Sequence, residues 1–167
     1  YITNKQEFMK LNFYVDKNVL IPQPDTEIFR IKENIMKYSA EVLSDEKLLH
    51  LFSIEEDHFN DFKAKDISGK NFSKIVSAFA NASGGDIYVG IREERETKET
   101  HWEGFNCIED ANSFIQVIES LPTIESYYDL EFLQHPVLET YVLKVCIFKT
   151  QSIVKTTDGR VFVRRGA

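Results

Sequence analysis

Between Ile75 and Ile91 the apolar residues change period, and this change constrains the fold more than any other stretch of the chain. Ile75, Ala78, Phe79 and Ala82 recur at helical spacing, whereas Ile87, Val89 and Ile91 alternate with Asp86, Tyr88 and Gly90 as in a half-buried strand. Gly84 and Gly85 stand at the join. The first can take the left-handed conformation that ends a helix, and the second lets the backbone enter a sheet with no Cβ in the way. Asn81 and Ser83 beside them read as a helix-end cap and a turn former, or else as contacts to a phosphate or base. A helix joined so tightly to a strand places the chain among folds that pack helices on a sheet.

The flanks extend this pattern. Residues 59–65 alternate apolar and polar side chains, which predicts a strand with Asp61 and Lys63 on one face and Phe62 on the other. Ser68 or Asp66 then caps the helix. The charged stretch from Arg92 to Glu103 is too polar for the core and reads as a long loop, closed by Trp102, Phe105 and Cys107. A helix is expected from about Glu109 to Ser120, with Phe114, Ile115, Val117 and Ile118 inward and Pro122 beyond its end. Strands are expected over 127–134 and from Val137 to Phe148, and Asp158-Gly159 predicts a hairpin between Ile153-Val154 and Val161-Phe162-Val163.

Before the first strand, Thr3 and Gln6 form a capping-box pair and Ile21-Pro22-Gln23-Pro24 an extended break. Asp25 caps a helix from about Thr26 to about Val42, and Ser44 caps a shorter one through Leu48, Leu49 and Leu51. The reading is therefore an α+β (α/β-like) fold with a mixed sheet flanked by helices. Residues 1–53 form an N-terminal helical extension and residues 54–167 the main domain.

With 167 residues the chain can bury one sizeable core but not comfortably two. No run reaches the length of a membrane span and no basic-then-apolar leader opens the chain, so a cytoplasmic protein without a membrane partner is expected. Cys107 and Cys146 show neither CxxC nor Cys/His spacing, which supports no disulfide framework or structural zinc and leaves both as core thiols. The net charge of −7 argues against indiscriminate nucleic-acid binding. Its distribution is uneven: residues 71–148 carry 5 basic and 13 acidic side chains, whereas residues 149–167 carry Lys149, Lys155, Arg160, Arg164 and Arg165 against Asp158 alone. That basic tail reads either as a solvated hairpin whose charges block edge pairing or as a phosphate-binding surface.

Three blocks occur in a recognisable order. They are Glu56-x4-Asp61-Phe62-Lys63, then Ala78-Phe79-Ala80-Asn81-Ala82-Ser83-Gly84-Gly85-Asp86-Ile87-Tyr88-Val89-Gly90-Ile91, then Asp158-Gly159-Arg160-Val161-Phe162-Val163-Arg164-Arg165-Gly166. From residue 54 onward the chain resembles the Schlafen AlbA_2 domain, also called the divergent AAA-4 domain. That family's pattern runs E-x4-E-F-K, then A-F-A-N-T-x-G-G-x-I-x-I-G-I, then G-x-x-Y-x-R-x-G. Family members usually continue past this point, so a fragment of a longer protein is expected.

The resemblance implies nucleic-acid handling. It points to a DNA- or RNA-binding domain of a larger bacterial transcriptional regulator or defence-type protein. In some eukaryotic Schlafens a metal-dependent acidic triad cuts tRNA and rRNA. Carried over, Glu56 and Asp61 are two of the three acids, with Asp61 where the pattern has Glu. The third follows the Gly-Ile pair, where this chain reads Arg92-Glu93-Glu94, so Arg92 takes the first place and Glu93 is the available carboxylate. Together Glu56, Asp61 and Glu93 would be catalytic, with Glu56 and Asp61 holding Mg²⁺ or Mn²⁺. Five residues apart on one strand the first two would face opposite ways, so a joint site requires Glu56 in the loop before it. Otherwise the acids are solvent-facing neighbours of Lys63 and Lys65. For binding, the candidates are Lys63, Arg160, Arg164 and Arg165, with Arg164 matching the family arginine and Phe162 as a stacking or core residue. An ATP-binding role lacks a GxxxxGK[ST] loop. Gly84-Gly85 follows a helix and precedes a strand, the reverse of the order in which helix N-terminal amides face an anion. A protein-interaction domain, including a homodimer, is the remaining alternative.

Overall fold

The change of period at residues 75–91 is realised as a helix, a two-glycine turn and an interior strand of a mixed sheet. The computed structural model describes residues 40–94, 96–97 and 99–165, all within the unit Asn34–Ala167. In order these form β1 (Ala40–Val42), α1 (Asp45–Ser53), β2 (Asn60–Lys63), α2 (Gly69–Ala80), β3 (Gly85–Val89), β4 (Ile91–Glu93) and β5 (Thr100–Trp102). A 3-10 turn (Ile108–Ala111), α3 (Asn112–Glu119), β6 (Tyr128–Gln134) and β7 (Tyr141–Ile147) follow.

The main sheet has the order β1-β6-β7-β3-β2. β1 and β2 pair in parallel with β6 and β3, while β7 runs antiparallel to both β6 and β3. Parallel neighbours need a crossover, and α2 supplies it between β2 and β3. Ser68 caps α2 by accepting from the Asn71 N–H, and Asn81 is its C-cap. Gly84 and Gly85 have φ of +76° and +143°. A Cβ on Gly85 would lie 2.4 Å from the Phe59 carbonyl and 2.6 Å from the Phe79 ring, so the turn is closed to any larger residue.

Alternation along the strands divides two cores. Phe72, Val76 and Phe79 of α2 and Phe114 and Ile118 of α3 pack on Ile87, Val89, Phe132, Leu143 and Val145. On the opposite face Phe62, Tyr88, Val142 and Leu133 meet Leu43, Leu51 and Ile91. Asp61 and Lys63 stand in register with Ile87 and Val89, so they project to the α2 side at the sheet's edge.

Several expectations are corrected. Residues 40–42 form β1 rather than the end of a helix; residues 26–39 of the helix expected there lie outside the described residues, as do Thr3, Gln6 and the Pro22-Pro24 break. Residues 40–53, read as part of the extension, add an edge strand and a helix to the sheet and its second core. The stretch read as a loop from Arg92 to Glu103 contains the β4–β5 pair, with Ile91 opposite Trp102. Cys107 is exposed rather than a core thiol, whereas Cys146 is half-buried. The Asp158-Gly159 turn forms, with Gly159 at φ +79°, but its flanks meet in a single bridge, Lys155 with Val161.

Candidate nucleic-acid interface and its carboxylate cluster

β2 is an edge strand, and an edge leaves backbone N–H groups without a ladder partner. Glu56, in the loop before β2, meets one of them: the Phe62 N–H donates to its Oε1 at 2.9 Å. The same oxygen accepts from the Lys63 ammonium at 3.3 Å, and that ammonium also donates to Asp61 Oδ1 at 2.8 Å and to the Phe62 carbonyl at 2.8 Å. Glu56 therefore does lie in the preceding loop, and Lys63 bridges the two acids.

Asp61 is buried at 5% exposure. Burial pushes its carboxyl pKa up, while Lys63 and Arg164 oppose the shift. Arg164 arrives from the far end of the chain. Its Nη1 lies 3.6 Å from Asp61 Oδ1, and its Nη2 donates to the Asp57 carbonyl and, at 3.3 Å, to the Asn60 carbonyl. The guanidinium carbon sits 4.4 Å from the centroid of the Phe79 ring. Asp57 in turn accepts from the N–H groups of Phe59 and Asn60 at 2.8 and 2.7 Å, and these bonds hold its pKa below the usual carboxylate value.

Asn81 brings the C-terminal segment to this place. Its Nδ2 donates to the carbonyls of Val154 and Phe162 at 2.8 and 2.9 Å, and its Oδ1 accepts from the Val154 N–H at 2.8 Å. The buried Ser77 hydroxyl donates to the Val154 carbonyl at 2.9 Å, and the Arg164 N–H donates to the Ala78 carbonyl at 3.3 Å. The three blocks read in the sequence are thus one contact assembly: Asn81 ties down the tail, and the tail's Arg164 closes over Asp61.

The sequence-derived candidates separate into two groups. Lys63 and Arg164 turn inward on carboxylates and carbonyls, leaving a compact assembly of two acids and two cations. Arg160 and Arg165 are exposed. Arg160 pairs with Asp158 at 2.5 Å and lies 5.4 Å from the Phe162 ring centroid. That pairing holds the Asp158 carboxyl below its ordinary range.

Glu93, on β4, lines a cavity of about 540 Å³ together with Glu55 and Glu56. A divalent ion needs several converging oxygen ligands. Among the described residues no three His, Cys, Asp or Glu side chains are grouped to hold a metal, and Asp61 Oδ1 is already shared by Lys63 and Arg164. As arranged here the donor set does not fit Mg²⁺ or Mn²⁺.

Comparison with known proteins places this assembly. The chain is 58% identical over 38 residues to the release factor glutamine methyltransferase of Clostridium acetobutylicum, a match covering 23% of this chain and 13% of that protein. The crystal structure of the DIP2311 protein from Corynebacterium diphtheriae superposes with a TM-score of 0.46 at 21% identity, over 65% of this chain and 24% of that one. The chain thus spans a small fraction of either protein's length. The family described as Schlafen, AlbA_2 matches residues 56–167, from the glutamate that meets the β2 edge through the arginine that closes over Asp61. With the carboxylate block, the Asn81 turn and the Arg164 tail all inside that match and joined in one assembly, this chain belongs to the Schlafen AlbA_2 family.

Proposed function

We propose that the domain binds nucleic acid, DNA or RNA, as one module of a larger regulatory or defence-type protein, and that the contact is made by its C-terminal segment. One observation carries the reading: Arg160 and Arg165 are held at the surface of a segment that Asn81, Ser77 and the Arg164 backbone N–H fix to α2 and its cap. Cations on a tethered segment meet phosphates without a large ordering cost. Lys63 and Arg164 act from inside, neutralising Glu56 and Asp61 so that the acids do not repel a strand lying nearby. In an acidic chain such a local basic surface favours weak, salt-sensitive binding over tight general binding. Anisotropy titration of a labelled strand at increasing salt tests this: affinity should fall steeply with salt, and a flat response removes the proposal.

A metal-dependent ribonuclease acting on tRNA or rRNA is the second reading, favoured by the cavity that Glu56 shares with Glu93. It requires Asp61 to be released from Lys63 and Arg164. Incubation of tRNA with the protein and Mn²⁺, beside a Glu56→Ala/Asp61→Ala variant, separates the readings. Cleavage lost in the variant supports the nuclease; no cleavage, or cleavage unchanged, rejects it.

A further inference from the structure

A second cavity, of about 500 Å³, opens between the start of α2, the end of α3 and the Asp158 turn. It is separate from the Glu56 and Glu93 cavity, and its charges are of the opposite sign. Lys70 and Lys74, one turn apart on α2, and Arg160 from the turn all line it. Like charges four residues apart on a helix repel, and α2 has no acidic residue to relieve them. The Lys74 ammonium donates only to Asn71 Oδ1 among the bonds described, at 2.9 Å. Asp158 is the one acid in the lining, and it is occupied by Arg160 at 2.5 Å and by the Thr156 hydroxyl at 2.5 Å. Positive charge is therefore left over.

The hydroxyls complete the pattern. Ser73 and Ser120 donate their protons to the carbonyls of Lys70 and Val117, at 2.9 and 2.7 Å. Their oxygens are left as acceptors beside the ammonium groups. Such a lining offers cationic donors to an anion and acceptors to an adjoining hydroxylated group. The space is within the range of small-ligand pockets and accommodates a phosphoryl group with its attached sugar.

We infer that the cavity formed by Lys70, Lys74 and Arg160 binds a phosphoryl group, supplied by a backbone phosphate of the bound nucleic-acid strand. The inference rests on the nucleic-acid reading for the source of that phosphate and adds α2 to the contact surface. Two lysine contacts correspond to a change of about 1.4 in the slope of log affinity against log salt for a single strand, and to roughly 25-fold at about 0.1 M salt.

The test uses the full chain and a Lys70→Gln/Lys74→Gln variant. Lys70 is exposed and Lys74 half-buried, so the fold should survive, and an unchanged urea midpoint verifies it. Backbone amide shifts are followed while inorganic phosphate, or a single-stranded oligonucleotide, is added at matched ionic strength. The proposal expects both probes to move the amides of Gly69, Ser73 and Thr157, and the variant to lose those shifts and the stated slope. Phosphate shifts at these amides without strand binding keep the phosphoryl site, assign it to a free phosphate or nucleotide, and reject the nucleic-acid reading. Strand binding with these amides unmoved and the variant unimpaired overturns the cavity and leaves the nucleic-acid reading standing. Silence from both probes overturns both.

Discussion

At the scale of single residues, Asn81 and Asp61 carry the assembly. Asn81 donates to the carbonyls of Val154 and Phe162 and accepts from the Val154 N–H, a combination that needs a carboxamide, and at this helix end it needs the short one. Asn81→Ala should cost about 2 to 4 kcal/mol by urea unfolding, since it strands several buried backbone groups at once. A change below about 0.5 kcal/mol would show that the tail is held elsewhere. Asn81→Asp should be at least as damaging, because an oxygen would then face the Val154 and Phe162 carbonyls. Asp61 gives a pH signature. Its pKa is raised in the folded state above the ordinary 3.8, so the native state takes up its proton first. Its stability contribution is thus present in full below that value and lost as pH rises through the folded pKa. The stability of the natural chain minus that of Asp61→Asn should therefore grow as pH is lowered from about 6 towards about 4. A difference that shrinks over this window would mean that Lys63 and Arg164 outweigh burial.

At the scale of elements, the turn between α2 and β3 and the Asp158 turn use glycine for different reasons. Gly85→Ala should prevent stable folding or cost more than about 3 kcal/mol, because its Cβ collides with Phe59 and Phe79. Gly159→Ala should cost only about 1 to 2 kcal/mol, the price of a left-handed residue, since nothing lies within 4 Å of the added carbon. Equal losses in thermal or urea unfolding would contradict this account. The first turn was fully legible, because helix spacing, glycine pair and strand alternation are all local signals. The β4–β5 pair was not: between Ile91 and Trp102 the residues are mostly charged and none is apolar, and the pairing is closed by packing at its root. The tail hairpin is reduced to one bridge because the backbones of Val154, Phe162 and Arg164 bond to α2, a partner about eighty residues away that local pattern does not encode. Strand β1 depends on β6 in the same way. In the site, strand geometry named the loop position of Glu56 only as the condition for bringing it beside Asp61, and the loop is where it lies. The inward roles of Lys63 and Arg164 did not, since a sequence shows charge without burial. Lys70 and Lys74 carried a readable signal, an i, i+4 lysine pair on a helix with no acid.

At the scale of the whole molecule, the chain combines a net charge of −7 with a basic C-terminal end, so the proposed binding rests on where the charges face rather than on their sum. Among the described residues no helix is long and apolar enough to cross a membrane. The central claim is that family blocks distant in sequence form one internal assembly that presents Arg160 and Arg165 to phosphates while Lys63 and Arg164 remain structural. The most direct measurement is the salt dependence of strand affinity for the natural chain and for an Arg160→Gln/Arg165→Gln variant, with unfolding midpoints measured alongside. The account expects a steep negative slope in the natural chain and a slope shallower by about 1.4 in the variant, at unchanged stability. A slope that the variant leaves unaltered, or no strand affinity at low salt, would contradict it.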